Sequence, residues 1–278
     1  MSIFFKRLGG FYKYRFLMQQ LVTKDIKLKY RRSILGYLWS ILNPLMIMVI
    51  MVIVFSNMFR SDIENFPVYL IIGQTLFNIE NFPLYLLCGQ VIFNFFNDAT
   101  TNAMSAIIGS ASLIKKVYVP KYVFTVSKVT SSFVNTLFAL GALVLVFIVC
   151  KVTPNIYYLL IPFILLQEYL FCLGLGMLLA QGSVFFRDIQ YIYNAVTTAW
   201  MYLTPLFYPI TLLPNGLREA VMMFNPMYFY ITEFRQIVLE CRMPEPYLLV
   251  AGTCAAVLML LIGTGAFLKT QDKFILYI

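Results

Sequence analysis

A chain of 278 residues that is 61% apolar or aromatic, 12% charged and +9 in formal net charge is not a soluble globular domain, which needs far more charge to stay dispersed. Histidine is absent, which excludes Ser-His-Asp hydrolysis, histidine-based acyl transfer and histidine-ligated metal; no G-x-x-x-x-G-K-[ST] loop is present to hold ATP phosphates in the P-loop manner. The five cysteines, Cys88, Cys150, Cys172, Cys241 and Cys254, show no metal-ligand spacing and read as small apolar residues.

Residues 1–35 open the chain with basic residues but no short apolar run ending in a small-residue cleavage site, so no removed signal peptide is expected. From Phe4 to Tyr30 apolar positions such as Phe11, Tyr14, Met18, Leu21 and Val22 alternate with Lys13, Arg15, Lys24, Lys27 and Lys29 at roughly helical spacing. That pattern predicts an amphipathic helix lying in the headgroup layer. Runs near the roughly 20 residues of a bilayer crossing follow at 36–58, 122–150, 157–179, 189–206 and 247–268.

Between the first two runs lies a tandem repeat. Glu64 to Ile79, ENFPVYLIIGQTLFNI, matches Glu80 to Phe95, ENFPLYLLCGQVIFNF, at ten of 16 positions. Two copies at this period are a local duplication rather than a solenoid. One copy is about 24 Å of helix, slightly short of the hydrocarbon core. The expectation is that the second copy, within 80–97, supplies a crossing and that 64–79 forms an extra outer-face or re-entrant piece. Residues 102–119 read as a short helix and turn, with Gly109, Ser110 and Ser112 at the turn, the Lys115-Lys116 pair after it and Pro120 as the stop. Residues 207–244 are too broken for a crossing and too apolar for a solvated loop; a pair of re-entrant or interfacial helices fits them.

With six crossings, sixteen of the 21 basic residues fall on one side, and Arg60, Lys151, Arg218, Arg235 and Arg242 on the other. The positive-inside rule makes the richer side cytoplasmic, with both termini there. This distribution also accounts for the net charge without nucleic acid. Glu168, beside Gln167 in the fourth crossing, costs about 2.5–3.5 kcal/mol if charged and unpaired, so it is protonated, partnered or facing water. Arg187 and Asp188 sit at the turn between the fourth and fifth crossings, where pairing with neighbours would fix two helix ends, a reading favoured over direct contact with substrate.

Four stretches carry a family resemblance: TKDIKLKYRRSILGYLWSILNPL (Thr23 to Leu45), SLIKKVYVPKYVF (Ser112 to Phe124), FFRDI (Phe185 to Ile189), and LTPLFYPITLLP with FNPM (Leu203 to Pro214, Phe224 to Met227). In this order and with this hydropathy they resemble the permease subunit of ABC-2 type exporters, in the branch that exports O-antigen, teichoic-acid and capsular polysaccharides. The departure is the duplication, since the family pattern needs one NFPLYLLCGQ-like segment.

The resemblance implies an all-α polytopic membrane protein of six crossings per subunit, working as a homodimer with two ABC ATPase subunits in the cell (inner) membrane. ATP and Mg would be bound by those partners, with no cofactor on this chain and no catalysis by it. Ile108, Gly109, Ser110, Ser112, Leu113, Lys115 and Lys116 match the segment that docks on the ATPase. The substrate would be a polyprenyl-linked glycan moved through a channel at the dimer axis. Sugars present C–H faces to aromatic rings and hydroxyls to polar groups. Tyr37, Trp39, Asn43, Trp200, Tyr202, Thr204, Phe207 and Tyr208 are the candidate lining; each is equally readable as an interfacial belt residue. Two other readings are an ABC-2 exporter of a drug, haem or small lipid, and an integral membrane enzyme acting on lipid-linked sugars. The scattered placement of the twelve acidic residues disfavours the enzyme.

Overall fold

The computed structural model describes residues 14–30, 35–58, 81–117, 119–150 and 155–277. The first repeat copy (64–79), residues 1–13 with the start of the expected amphipathic helix, Arg31, Arg32 and Lys151 lie outside the described residues. The described residues form helices and no strand. In chain order the α-helices are α1 (Arg15–Tyr30), α2 (Trp39–Met58), α3 (Phe82–Gly109), α4 (Ala111–Ile114), α5 (Tyr122–Val149), α6 (Ile161–Phe185), α7 (Ile189–Leu203), α8 (Asn215–Phe224), α9 (Pro226–Val238) and α10 (Pro246–Thr270).

Among the described residues four helical stretches are long and apolar enough to cross a membrane: Gly36–Val54, Tyr122–Val149, Ile156–Phe185 and Pro246–Leu276. Large apolar side chains stand exposed along them, Ile50, Val144, Leu166 and Leu261 among them, as expected of surfaces solvated by lipid. These four coincide with the expected first, third, fourth and sixth crossings and establish a multi-pass membrane protein. The helices at the second and fifth positions are not among the four. α3 carries Gln90, Asn94, Asn97, Asp98 and Asn102, and α7 has 15 residues.

α3 is the axis of the bundle. Asn81, in the left-handed region at φ 54°, and Pro83 in the first turn launch it. Helices α2, α5, α6, α7 and α9 pack against it, burying Phe82, Leu86, Phe96, Ala103 and Ile107 along its length. At 28 residues it is about 42 Å long. It runs unbroken to Gly109, so the segment expected to begin at Asn102 is its last two turns. The polarity after Asn97 is a stripe along one helix face and not a break in the helix, and only α4, four residues long, is separate.

α6 and α10 approach each other at glycine. A Cβ on Gly263 would lie 1.9 Å from the Gly174 carbonyl oxygen, and one on Gly174 would lie 2.4 Å from the Met259 carbonyl. In lipid, where apolar burial gives little drive for association, such small-residue crossings let backbones touch. At one end of the bundle Tyr14, Leu17, Met18 and Leu21 of the α1 segment pack on a cluster that includes Ile107, Ile114, Val123, Phe267 and Phe274. At the other end the 207–244 region holds the short helix pair α8 and α9, as the broken composition predicts.

Candidate functional site: a polar wall and its two ends

α7 has three faces. Tyr193 and Thr197 are buried and Trp200 is partly buried; these pack on α3, where the Tyr193 hydroxyl donates to Thr100 Oγ1 at 2.7 Å and Trp200 meets Phe96 edge-on at 5.0 Å. One flank is apolar, with Ile192, Val196 and Leu203 exposed. The other carries Gln190, Asn194, Thr198 and Tyr202, spaced by four and all exposed. On α3 the exposed polar positions are Asn94, Asn97, Asn102 and Ser105, with Thr101 half-buried among them. Phe96 meets Trp200 while Thr100 meets Tyr193, so the helices run antiparallel. With right-handed turns on antiparallel axes, the polar flank of α7 and the polar stripe of α3 fall on the same side.

The wall continues toward α2. Trp39, Asn43, Asn94, Asp98 and Asn135 line a cleft of about 290 Å³ between α2, α3 and α5. It adjoins a larger cavity of about 570 Å³ that shares Lys29, Asp98 and Asn135 and reaches Asp25 on α1. Ser40 donates to Asn135 Oδ1 at 2.9 Å, and Asn102 to Ser132 Oγ at 3.0 Å. Two ion pairs tie α1 to these helices, Lys128 to Asp25 at 2.8 Å and Lys29 to Asp98 at 3.6 Å. In a membrane, exposed asparagines on otherwise apolar helices are tolerated where they meet water, a polar ligand or another protein surface, and not lipid tails.

The end of α7 is locked. Thr204 is fully buried and Phe207 nearly so. Trp200 Nε1 donates to Asn225 Oδ1 at 2.8 Å, and Asn225 Nδ2 to Thr204 Oγ1 at 3.0 Å. The Arg235 guanidinium of α9, buried, donates to the carbonyls of Pro205 at 2.7 Å, Leu206 at 2.8 Å and Tyr85 at 3.2 Å, and lies 3.4 Å from the centre of the Tyr85 ring. Tyr85 closes the circuit by donating to the Tyr208 carbonyl at 2.9 Å.

Seven of the eight candidate lining residues separate into two groups, and Tyr37 stands apart from both. Trp39 and Asn43 reach the polar cleft, and Tyr202 stands 63% exposed on the wall. Trp200, Thr204, Phe207 and Tyr208 belong to the latch, while Tyr37, exposed, packs on Phe138 at 5.7 Å. Missing from the sequence-level set are Asn94, Asn97, Asn194, Thr198 and Arg235. The spacing of four from Gln190 to Tyr202 is the signal that finds α7's contribution; nothing local marks Arg235.

The opposite end carries the coupling candidates. Ile114 is buried and pins α4, leaving Ile108, Gly109, Ser112, Lys115 and Lys116 exposed and Ser110 and Leu113 half-buried. Lys121 donates to the Gln271 carbonyl; burial lowers its ammonium below the usual lysine range, opposed by nearby Asp272. Arg187 and Asp188 are exposed on the α6–α7 turn and form no ion pair among the described residues, in place of the pairing expected of them. Glu168 is fully buried and its carboxyl oxygens have no hydrogen-bond partner among the described residues, so it neither faces water nor rests on a polar partner. Its neighbour Gln167 does, donating to Thr253 Oγ1 at 2.7 Å. Among the described residues no cluster of metal-ligating side chains occurs.

A helical bundle with four candidate membrane spans among its described residues and an exposed polar wall is a multi-pass membrane protein. The chain belongs to the ABC-2 type transporter family, whose model matches residues 17–239. It is similar to the O-antigen export system permease protein RfbA of Myxococcus xanthus, 29% identical over 264 residues and covering 95% of each chain. An RfbA of Klebsiella pneumoniae is 26% identical over 259 residues, 93% of each chain. The capsule polysaccharide export inner-membrane protein CtrC of Neisseria meningitidis serogroup A is 23% identical over 221 residues, 77% of this chain and 76% of its own.

Proposed function

We propose that this chain is the membrane-spanning permease subunit of an ATP-driven exporter that moves a polyprenyl-linked polysaccharide out of the cytoplasm. The observation that carries the reading is the exposed polar wall of α3 and α7. A single copy in a bilayer would leave Asn94, Asn97, Asn194 and Thr198 facing lipid, at a cost that a second copy across a water-filled conduit removes. A conduit of amides, hydroxyls and aromatic rings with few charges suits a neutral sugar chain. The export functions named for the relatives agree with this.

In this reading α3 and α7 complete six crossings, the subunit is a homodimer, and the end bearing α1, α4 and Lys115-Lys116 is cytoplasmic and docks two ATPase subunits. α4 follows α3 directly across Ser110 and is pinned by the buried Ile114, so motion of a docked ATPase would reach the wall through α3. The test is deletion and complementation of this chain together with its cognate ATPase, reading surface polysaccharide. Loss of the surface glycan on deletion and its return on complementation are expected. An unaltered surface glycan after deletion overturns the reading, and co-purification of an ATPase separates it from an enzyme acting on lipid-linked sugars.

A further inference from the structure

At the foot of the polar wall a cavity of about 700 Å³ opens between α1, the end of α3, the start of α5 and the α6–α7 turn. Three cations line it: Lys24 of α1, Lys128 of α5 and Arg187 of the turn. Its one acid, Asp25, is engaged by Lys128 at 2.8 Å. Lys24 and Arg187 form no ion pair among the described residues. Ser110 and Tyr191 add hydroxyls. Apolar side chains, among them Leu28 and Met104, share the rest of the lining with Ser105, Ser127, Ser183 and Gln190. Cations together with apolar side chains in one cavity match a ligand whose anionic head is joined to something less polar. A guanidinium grips phosphate oxygens through paired N–H groups, and a lysine ammonium adds a point charge.

The location adds a second argument. Ser105 and Gln190 line this cavity and are also the last members of the polar faces of α3 and α7. An anion held between Lys24 and Arg187 therefore leaves whatever is attached to it at the entrance of the wall. We infer that this cavity is the site that receives a phosphate or pyrophosphate headgroup, with Arg187 and Lys24 as its binding residues and Lys128, neutralised by Asp25, as part of its frame. The inference rests on the reading of the chain as a lipid-linked glycan exporter, and it assigns the point where that substrate is loaded.

The test uses the full-length chain in phosphatidylcholine nanodiscs, titrated with farnesyl pyrophosphate and, separately, with inorganic pyrophosphate. Arg187→Gln and the double variant Lys24→Gln, Arg187→Gln should weaken farnesyl pyrophosphate at least about tenfold, the loss expected for charge-assisted hydrogen bonds. Lys115→Gln with Lys116→Gln, on the same face but outside the cavity, should change it less than about twofold. Arg187→Lys, which keeps the charge, should fall between, and monodisperse elution guards against misfolding. Tighter binding of farnesyl than of inorganic pyrophosphate assigns the site to a lipid-borne headgroup; equal binding with the same sensitivity assigns it to the free anion. Absence of farnesyl pyrophosphate binding, or a loss no greater in the Arg187 variants than in the Lys115, Lys116 variant, overturns the site. Deletion of the chain with surface glycan as readout tests the exporter reading separately, so a failed site with an intact export phenotype leaves that reading standing.

Discussion

Arg235 and Glu168 are both buried ionisable side chains, and their surroundings give them opposite consequences. Arg235 supplies donors to the Pro205 and Leu206 carbonyls, just past the end of α7, and to the carbonyl of Tyr85 in the first turn of α3. Arg235→Met keeps much of the volume and removes the guanidinium donors from the Pro205 and Leu206 carbonyls, at about 1–3 kcal/mol for each one left unsatisfied. The thermal midpoint of the purified chain should fall by about 5 °C or more, and an unchanged midpoint would mean that the latch contributes nothing to stability. Glu168, by contrast, has no hydrogen-bond or ion-pair partner to lose among the described residues. Glu168→Gln should leave membrane abundance and export unaltered, whereas Glu168→Lys, which forces a charge into α6, should sharply lower abundance because an unpaired charge there costs about 2.5–3.5 kcal/mol. Normal abundance with lost export in Glu168→Gln would instead show that the carboxyl itself works in transport. Neither outcome is legible from sequence: Arg235 reads there as an outer-side basic residue, and only the fold brings Pro205, Leu206 and Tyr85 around it.

Among elements, the α6–α10 crossing depends on glycine. Any side chain at Gly263 must push α10 off α6, because its Cβ would fall 1.9 Å from a carbonyl oxygen of the facing backbone. Overpacking of this kind costs about 1–3 kcal/mol or more, so Gly263→Val should lower the thermal midpoint by about 5 °C, while Gly265→Val, whose added Cβ meets nothing within 4 Å, should be nearly silent. Equal behaviour of the two would contradict the crossing. The long apolar helices were readable from hydropathy, since a run of twenty apolar residues has few other uses. α3 was not. Its asparagines and serine at 94, 97, 102 and 105 lower the local hydropathy as a loop would, and only their common face on an unbroken helix identifies them as a surface. The aromatic candidates near the end of α7 were ambiguous for a related reason: Trp200 and Tyr202 are two residues apart, so one turns into the latch and the other out to the wall.

At the scale of the whole molecule, the basic residues, the polar wall and the latch occupy successive levels along the bundle. The basic end presents α1 and α4, the middle presents amides and hydroxyls, and the far end is held by Arg235 and Asn225. The duplicated segment bears on this arrangement through topology alone. Removal of residues 64–79 should leave a chain that still inserts with its C-terminus on the cytoplasmic side, measured with a C-terminal reporter active on one side of the membrane; a reversed C-terminus would make the first copy a crossing. The claim on which the account turns is that the α3 and α7 polar faces meet water rather than lipid. Single cysteines placed at Asn97, Asn194 and Thr198, and at Ile192 and Val196 on the opposite flank, in a chain whose five native cysteines are replaced, should be reacted with a membrane-impermeant maleimide in native membranes. Labelling at 97, 194 and 198 with protection at 192 and 196 is expected; equal labelling of both flanks, or protection of the polar one, would show that these faces do not meet water.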